Sequence, residues 1–194
     1  MQGIFPMGSP DGDHVDWYSP DPRGILPLET FHVPKNLARL VRQGRFVVRC
    51  DAAFEQVMRQ CAIPRGQHDQ AWISEPLINA YVGLHEAGQA HSIEAWLGDR
   101  LVGGLYGVHI GGAFFGESMF SRPAEGGTNA SKVCLVHLVR WLRRRGSLLL
   151  DTQFTNEHLS QFGCIEIPRH DYMRRLHAAI AQPVTWGRFD SEVE

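Results

Sequence analysis

The absences in this sequence bound its function before its motifs do. Its four cysteines, Cys50, Cys61, Cys134 and Cys164, lie far apart and form no CxxC pair, so reduced thiols of a cytoplasmic protein are expected. No apolar run approaches the roughly 20 residues that a membrane span needs. The N-terminus shows no basic segment followed by an apolar one, and secretion is not expected. Positive charge is not in excess either: the net charge is −2, which argues against a broadly basic nucleic-acid binder and leaves any RNA contact to a local patch. His85-Glu86 followed by His91 misses the HExxH spacing, and the histidines form no ligand cluster, so neither a metal nor another cofactor is expected. Gly116-Glu117-Ser118-Met119-Phe120 lacks the closing glycine of a hydrolase elbow, which excludes a serine nucleophile on that pattern.

What is present is ordinary for a globular chain: 194 residues, 43% apolar and 21% charged, enough for one substantial domain with a small appendage. Residues 1–44 are punctuated by Pro6, Pro10, Pro20, Pro22, Pro27 and Pro34. Prolines at this density favour turns and extended pieces over long helices. A small loop-rich subdomain is expected there, with a short helix near Lys35–Gln43, and a catalytic domain over 45–194. In the remainder, Phe46–Arg49 reads as a strand and Asp51 as the cap of a helix stopped by Pro64. Ser74 caps a second helix that ends before Gly88. Three strands follow, joined by the hairpin turns Gly98-Asp99 and Gly111-Gly112. A long amphipathic helix from about Asn129 to Arg145 leads to a strand at Leu148–Thr152, a short helix, a strand at Cys164–Ile167 and a terminal helix. This order resembles the GNAT acyltransferase core. The expected class is α+β: a mixed, mostly antiparallel sheet with helices on both faces.

The stretch from Leu148 to Asn156 carries the strongest chemical signal. A short apolar run reads as a buried strand, and its end holds Asp151 and Gln153, which two-residue periodicity places on one face. A buried carboxylate needs a partner, so the pair reads as a site or, equally, as a satisfied core network. Arg140, Arg143, Arg144 and Arg145 crowd the end of the long helix. They suit the helix dipole as a solvated face or meet phosphates. The loop Arg122–Asn129 has two glycines but the wrong spacing for the pyrophosphate of acetyl-CoA, and Glu125 would repel that anion.

Longer motifs run through nearly the whole chain. They include Gly3-Ile4-Phe5-Pro6, Trp17-Tyr18-Ser19-Pro20-Asp21-Pro22-Arg23, Trp72-Ile73, His91-Ser92-Ile93-Glu94 and Leu101-Val102-Gly103-Gly104-Leu105-Tyr106-Gly107. Gly116-Glu117-Ser118-Met119-Phe120-Ser121-Arg122, Asn129-Ala130-Ser131-Lys132, Asp151-x-Gln153 with Asn156 and His158, and Glu166-Ile167-Pro168-Arg169 complete the set. On these residues the chain resembles the leucyl/phenylalanyl-tRNA–protein transferases. Met7 and Tyr18 depart from it, standing where tryptophan is common.

The resemblance implies transfer of leucine or phenylalanine, and less well methionine, from Leu-tRNA or Phe-tRNA. The acceptor would be the α-amine of a protein beginning with Arg or Lys, which the N-end rule pathway then degrades. It further implies that Asp151 orients Gln153, whose carbonyl positions the attacking amine, and that Glu117 meets the cationic N-terminus. Leu105, Met119, Leu138 and Leu142 would form the donor's apolar slot. Trp72, with Trp17, would stack the terminal adenosine; Asn156 joins the substrate-binding set; the arginine cluster would meet acceptor-stem phosphates. The alternative within the same fold is an N-acetyltransferase using acetyl-CoA, and a non-enzymatic RNA-binding module is a third reading.

Overall fold

In a computed structural model of the chain, residues 2–9, 14–64 and 72–191 are described. Among the described residues nine strands form two sheets. A hairpin of β1 (Phe5–Gly8) and β2 (Val15–Tyr18) stands alone. The main sheet has the order β4-β5-β6-β7-β8-β3-β9. Its members are β3 (Arg23–Ile25), β4 (Val47–Cys50), β5 (Ala90–Leu97), β6 (Arg100–Ile110), β7 (Ala113–Ser121), β8 (Leu149–Gln153) and β9 (Ile165–Ile167). All neighbours are antiparallel except β7 and β8. A parallel pair cannot be closed by a hairpin and needs a crossover; here that crossover contains α4 (Ala130–Arg145).

Helices cover both faces, as the α+β reading expects. On β6, Leu105 and Val102 pack in one cluster with α4, while Tyr106 and Leu101 pack in another. That second face carries α2 (Phe54–Cys61) and α3 (Glu75–Glu86). Leu149 joins a third cluster with Tyr172 and Leu176 of α6 (Arg169–Ile180). The α4 layer also receives Leu37 of α1 (Lys35–Arg42), and α5 (Glu157–Ser160) is one short turn capped by Asn156. No helix among the described residues is long and apolar enough to cross a membrane.

Two local expectations differ from the structure. Within residues 1–44, the hairpin alone forms a separate sheet; β3 lies inside the main sheet, between β8 and β9. Proline density disfavours long helices there but says nothing about which sheet an extended piece joins. Asp51 does not cap α2, whose N-cap is Ala53. Its φ is +57°, and its carboxylate turns back to accept from the Ser92 amide at 2.9 Å.

Candidate active site

The parallel pairing of β7 with β8 covers only Ala113–Phe115 against Leu149–Asp151. Past that point each strand carries a bulge. On β7, Gly107 faces Gly116 and Tyr106 faces Ser118, which makes Glu117 the extra residue. On β8, Gly24 faces Gln153 and Ile25 faces Asp151, which makes Thr152 the extra residue. A bulge bends its strand and re-aims a side chain. Two of them, side by side, part the strands and open a cavity of about 370 Å³. Leu105, Met119, Leu135, Leu138 and Leu150 give it an apolar wall; Glu117, Ser118, Thr152, Gln153, Asn156 and His158 give it a polar one.

Asp151 is fully buried beside this cavity but is not among its lining residues. Arg23 clamps it through two bonds, Nε to Oδ1 at 2.9 Å and Nη2 to Oδ2 at 2.7 Å. Tyr172 donates its hydroxyl to Oδ2 at 2.6 Å. The Gln153 backbone N–H donates to Oδ1 at 2.9 Å. Arg23 in turn gives Nη1 to the Gly3 carbonyl and lies over the rings of Phe5 and Tyr172.

Gln153 has φ +59°, a left-handed conformation that costs a non-glycine residue about 1–2 kcal/mol. That turn ends the strand's alternation. Asp151 points toward Arg23 and α6, whereas Gln153 lines the cavity. The two side chains expected on one face are therefore separated, and the carboxylate reaches Gln153 through its backbone. The Gln153 side-chain nitrogen is buried with no hydrogen-bond partner among the described residues. An unmet donor of this kind marks a place where a partner is missing.

Burial pushes the Glu117 carboxyl up to about 8, and the charge of Asp151 adds to the rise; a hydrogen bond from Tyr81 and the Arg23 charge oppose it. The Tyr81 hydroxyl is raised by its own burial and then by Glu117, so it remains a donor.

The other expected site residues divide. Leu105, Met119, Leu138 and Asn156 line the cavity, with Asn156 Oδ1 also accepting from the Leu159 amide at 2.8 Å. Leu142 is fully buried in the core and does not line it. The helical partner of Leu138 in the wall is Leu135, one turn toward the N-terminal end of α4, because the cavity sits against that half of the helix. Trp17 is exposed on the hairpin and Trp72 half-buried beside it, where its carbonyl accepts from the Gly8 amide; neither lines the cavity.

The arginine cluster is largely spent on the protein itself. Arg143 donates to the Leu28 carbonyl, Arg145 donates to Thr185 through Nε and Nη2, and Arg144 lies 3.5 Å from Asp190. Sequence reasoning missed Arg23 and Tyr172 as site residues. Arg23 stands within a quoted motif, but nothing local reveals a partner 128 residues away.

The start of α4 also bears on acetyl-CoA. The Ala130 amide goes to the Gly127 carbonyl and the Ser131 amide to Ser121 Oγ. Arg122 is paired with Glu125 and Gln60, so Glu125 neutralises a cation there. Two of the backbone donors that would grip a pyrophosphate are thus already used.

Residues 25–177 match the family described as leucyl/phenylalanyl-tRNA protein transferase. The chain is 51% identical over 182 residues to the leucyl/phenylalanyl-tRNA–protein transferase of Gloeobacter violaceus, covering 94% of this chain and 90% of that protein. It is 54% identical over 183 residues to that of Caulobacter vibrioides, covering 94% and 82%. Among solved structures, a GNAT-family protein from Desulfovibrio desulfuricans aligns at 17% identity and a TM-score of 0.39, over 54% of this chain and 70% of its own.

Proposed function

The chain belongs to the leucyl/phenylalanyl-tRNA–protein transferase family, and we propose that its cavity joins an aminoacyl group from tRNA to the α-amine of a protein beginning with Arg or Lys. The observation that carries this reading is the two-sided wall. An apolar slot of Leu105, Met119, Leu135 and Leu138 faces a polar side holding Gln153 and Glu117. A donor leucine or phenylalanine side chain occupies the slot, and Met119 adapts to either shape. Gln153 positions the attacking amine. Glu117 attracts the cationic first residue of the acceptor through a charge-assisted contact.

The chemistry needs little more. The amine attacks the ester carbonyl, the peptide C–N bond forms, the ester C–O bond breaks, and the proton leaves nitrogen for the departing ribose oxygen. An α-amine has a pKa of about 7.7–8.0, so a useful fraction is neutral at cell pH. Holding two activated reactants together supplies roughly 7–11 kcal/mol of the barrier. Trp17 and Trp72 stay assigned to the terminal adenosine, and Arg140 with its neighbours to acceptor-stem phosphate, as contacts made outside the cavity. Product proteins, bearing a new Leu or Phe, enter N-end rule degradation. The four free cysteines fit a reducing cytoplasm, where charged tRNA is found.

The test incubates purified protein with radiolabelled Leu-tRNA and two peptides, one beginning with Arg and one with Ala. Label on the Arg peptide alone is the expected result. Label on both removes the acceptor rule; label on neither, with folded protein, removes the reading.

A further inference from the structure

Arg23 and Tyr172 lie outside the cavity, yet both close on the residue that sets its catalytic corner. We propose that they are positioning residues for transfer, acting through Asp151 to hold the Gln153 backbone in the left-handed turn that presents its side chain. The inference rests on the reading of Gln153 given above.

Geometry supports it at each link. Asp151 receives four hydrogen bonds: two from Arg23, one from Tyr172 and one from the Gln153 amide. The last is the only one that leads to the cavity. It runs between residues two apart, across the bulge at Thr152. A carboxylate free to rotate would not keep its Oδ1 on that amide. Arg23 binds both oxygens with its fork, and Tyr172 approaches Oδ2 at 2.6 Å, so rotation breaks three bonds together. A guanidinium fork fixes carboxylate geometry in a way that an ammonium cannot.

The remaining contacts of Arg23 tie distant parts of the chain to this point. Its Nη1 holds the Gly3 carbonyl at 2.9 Å, and its face lies 4.8 Å from the Phe5 ring centroid and 4.7 Å from that of Tyr172. The N-terminal hairpin and α6 therefore meet at one carboxylate behind Gln153. Stability alone is a poor account of this arrangement, because a buried ion pair gains little over well-packed apolar residues of similar volume. Neither oxygen of Asp151 is directed at the cavity, which makes it a support for Gln153 rather than a base for the amine.

The experiment measures kcat, the KM for Leu-tRNA and for an Arg-initiated peptide, and the melting temperature of Tyr172→Phe, Arg23→Lys and Gln153→Ala. Tyr172→Phe removes one oxygen. It is expected to lower kcat about tenfold while both KM values stay within about twofold, the pattern of a small misplacement at the reacting centre. Arg23→Lys keeps the charge but loses the fork, and a fall in kcat of about a hundredfold is expected. If Tyr172→Phe does not fold, Arg23→Lys decides alone. A lower melting temperature with wild-type kcat in both variants overturns the proposal, since a merely structural pair gives that result. So does a raised KM at constant kcat. Full activity in Gln153→Ala would instead remove the reading of the site itself, and that outcome is separate from the other two.

Discussion

Two aspartates in this fold belong to left-handed turns, and they serve opposite ends. Asp51, itself at φ +57°, binds His91 Nδ1 at 2.8 Å and the Ser92 amide at 2.9 Å. Although burial pushes upward, those two hydrogen bonds hold its carboxyl below the usual carboxylate range. His91 itself is packed: Trp186 stacks on it at 4.1 Å, among His109, Phe114 and Trp141, while clefts beside it are lined by Asp51. Asp151 makes a similar set of bonds, but the residue it holds opens onto a cavity. One cluster anchors the C-terminal segment; the other supports the residue proposed to position the amine. A strained, hydrogen-bonded strand end is thus not itself a site. What distinguishes the two is where the held residue's side chain ends: His91 is stacked against Trp186, whereas Gln153 lines the cavity between β7 and β8.

The largest test of that distinction compares the two carboxylates. Asp151→Ala strands a buried arginine, and a loss of about 3–5 kcal/mol in urea unfolding is expected, with no detectable transfer. Asp51→Ala exposes no permanent charge, so about 1–2 kcal/mol is expected, and the folded protein should transfer label at the wild-type rate. Loss of transfer in folded Asp51→Ala would erase the contrast.

How much of this was legible in sequence follows from the same residues. The order of strands and helices from β4 onward could be read because hydrophobic periodicity, Gly146 after α4 and the hairpin glycines are local signals. Asp151 and Gln153 stood out because two polar groups end an apolar strand. Their separation was hidden, since a positive φ at a glutamine depends on a carboxylate that is itself held by Arg23. The placement of β3 between β8 and β9 was hidden for a related reason: a three-residue strand has too little pattern to declare its neighbours. The resemblance implied Leu142 for the cavity beside Leu138, and their helical spacing identifies a face of α4 but not the level along its axis. The arginines crowd together in the sequence itself, while their partners Leu28, Thr185 and Asp190 come from other segments.

A second, smaller effect sharpens the comparison from the cavity side. Glu117 is held near 8 mainly by burial, so at neutral pH much of it is uncharged and attracts a cation poorly. As pH rises through about 8 the carboxyl ionises, and the KM for an Arg-initiated peptide is expected to fall by up to about tenfold per pH unit below that midpoint. In Glu117→Gln that dependence should vanish, while kcat still rises with deprotonation of the peptide's own amine. Equal pH profiles of KM in both proteins would remove Glu117 from acceptor binding.

The smallest effect lies on the other side, where the partners of the C-terminal anchor are histidines. Burial, then the charges of His91 and Arg145, lower His109 from 6.5 to about 4. A histidine whose folded value is depressed stays neutral in the native protein while the unfolded chain takes up a proton. Its contribution is therefore present above about 6.5 and drains away as pH falls toward 4. His109 packs edge-on against Trp186, so the anchor should loosen in acid while the Asp151 cluster, built on an arginine, does not share that response. Replacing it by His109→Gln should flatten the loss of unfolding free energy between pH 7 and 5 by about 1 kcal/mol. Transfer of leucine at neutral pH should be unchanged, because nothing in this cluster reaches the cavity. Identical pH slopes for the two proteins would place acid sensitivity elsewhere. A drop in transfer would mean that the two clusters are coupled through β7, whose Phe114 touches Trp186 and whose Glu117 lines the cavity.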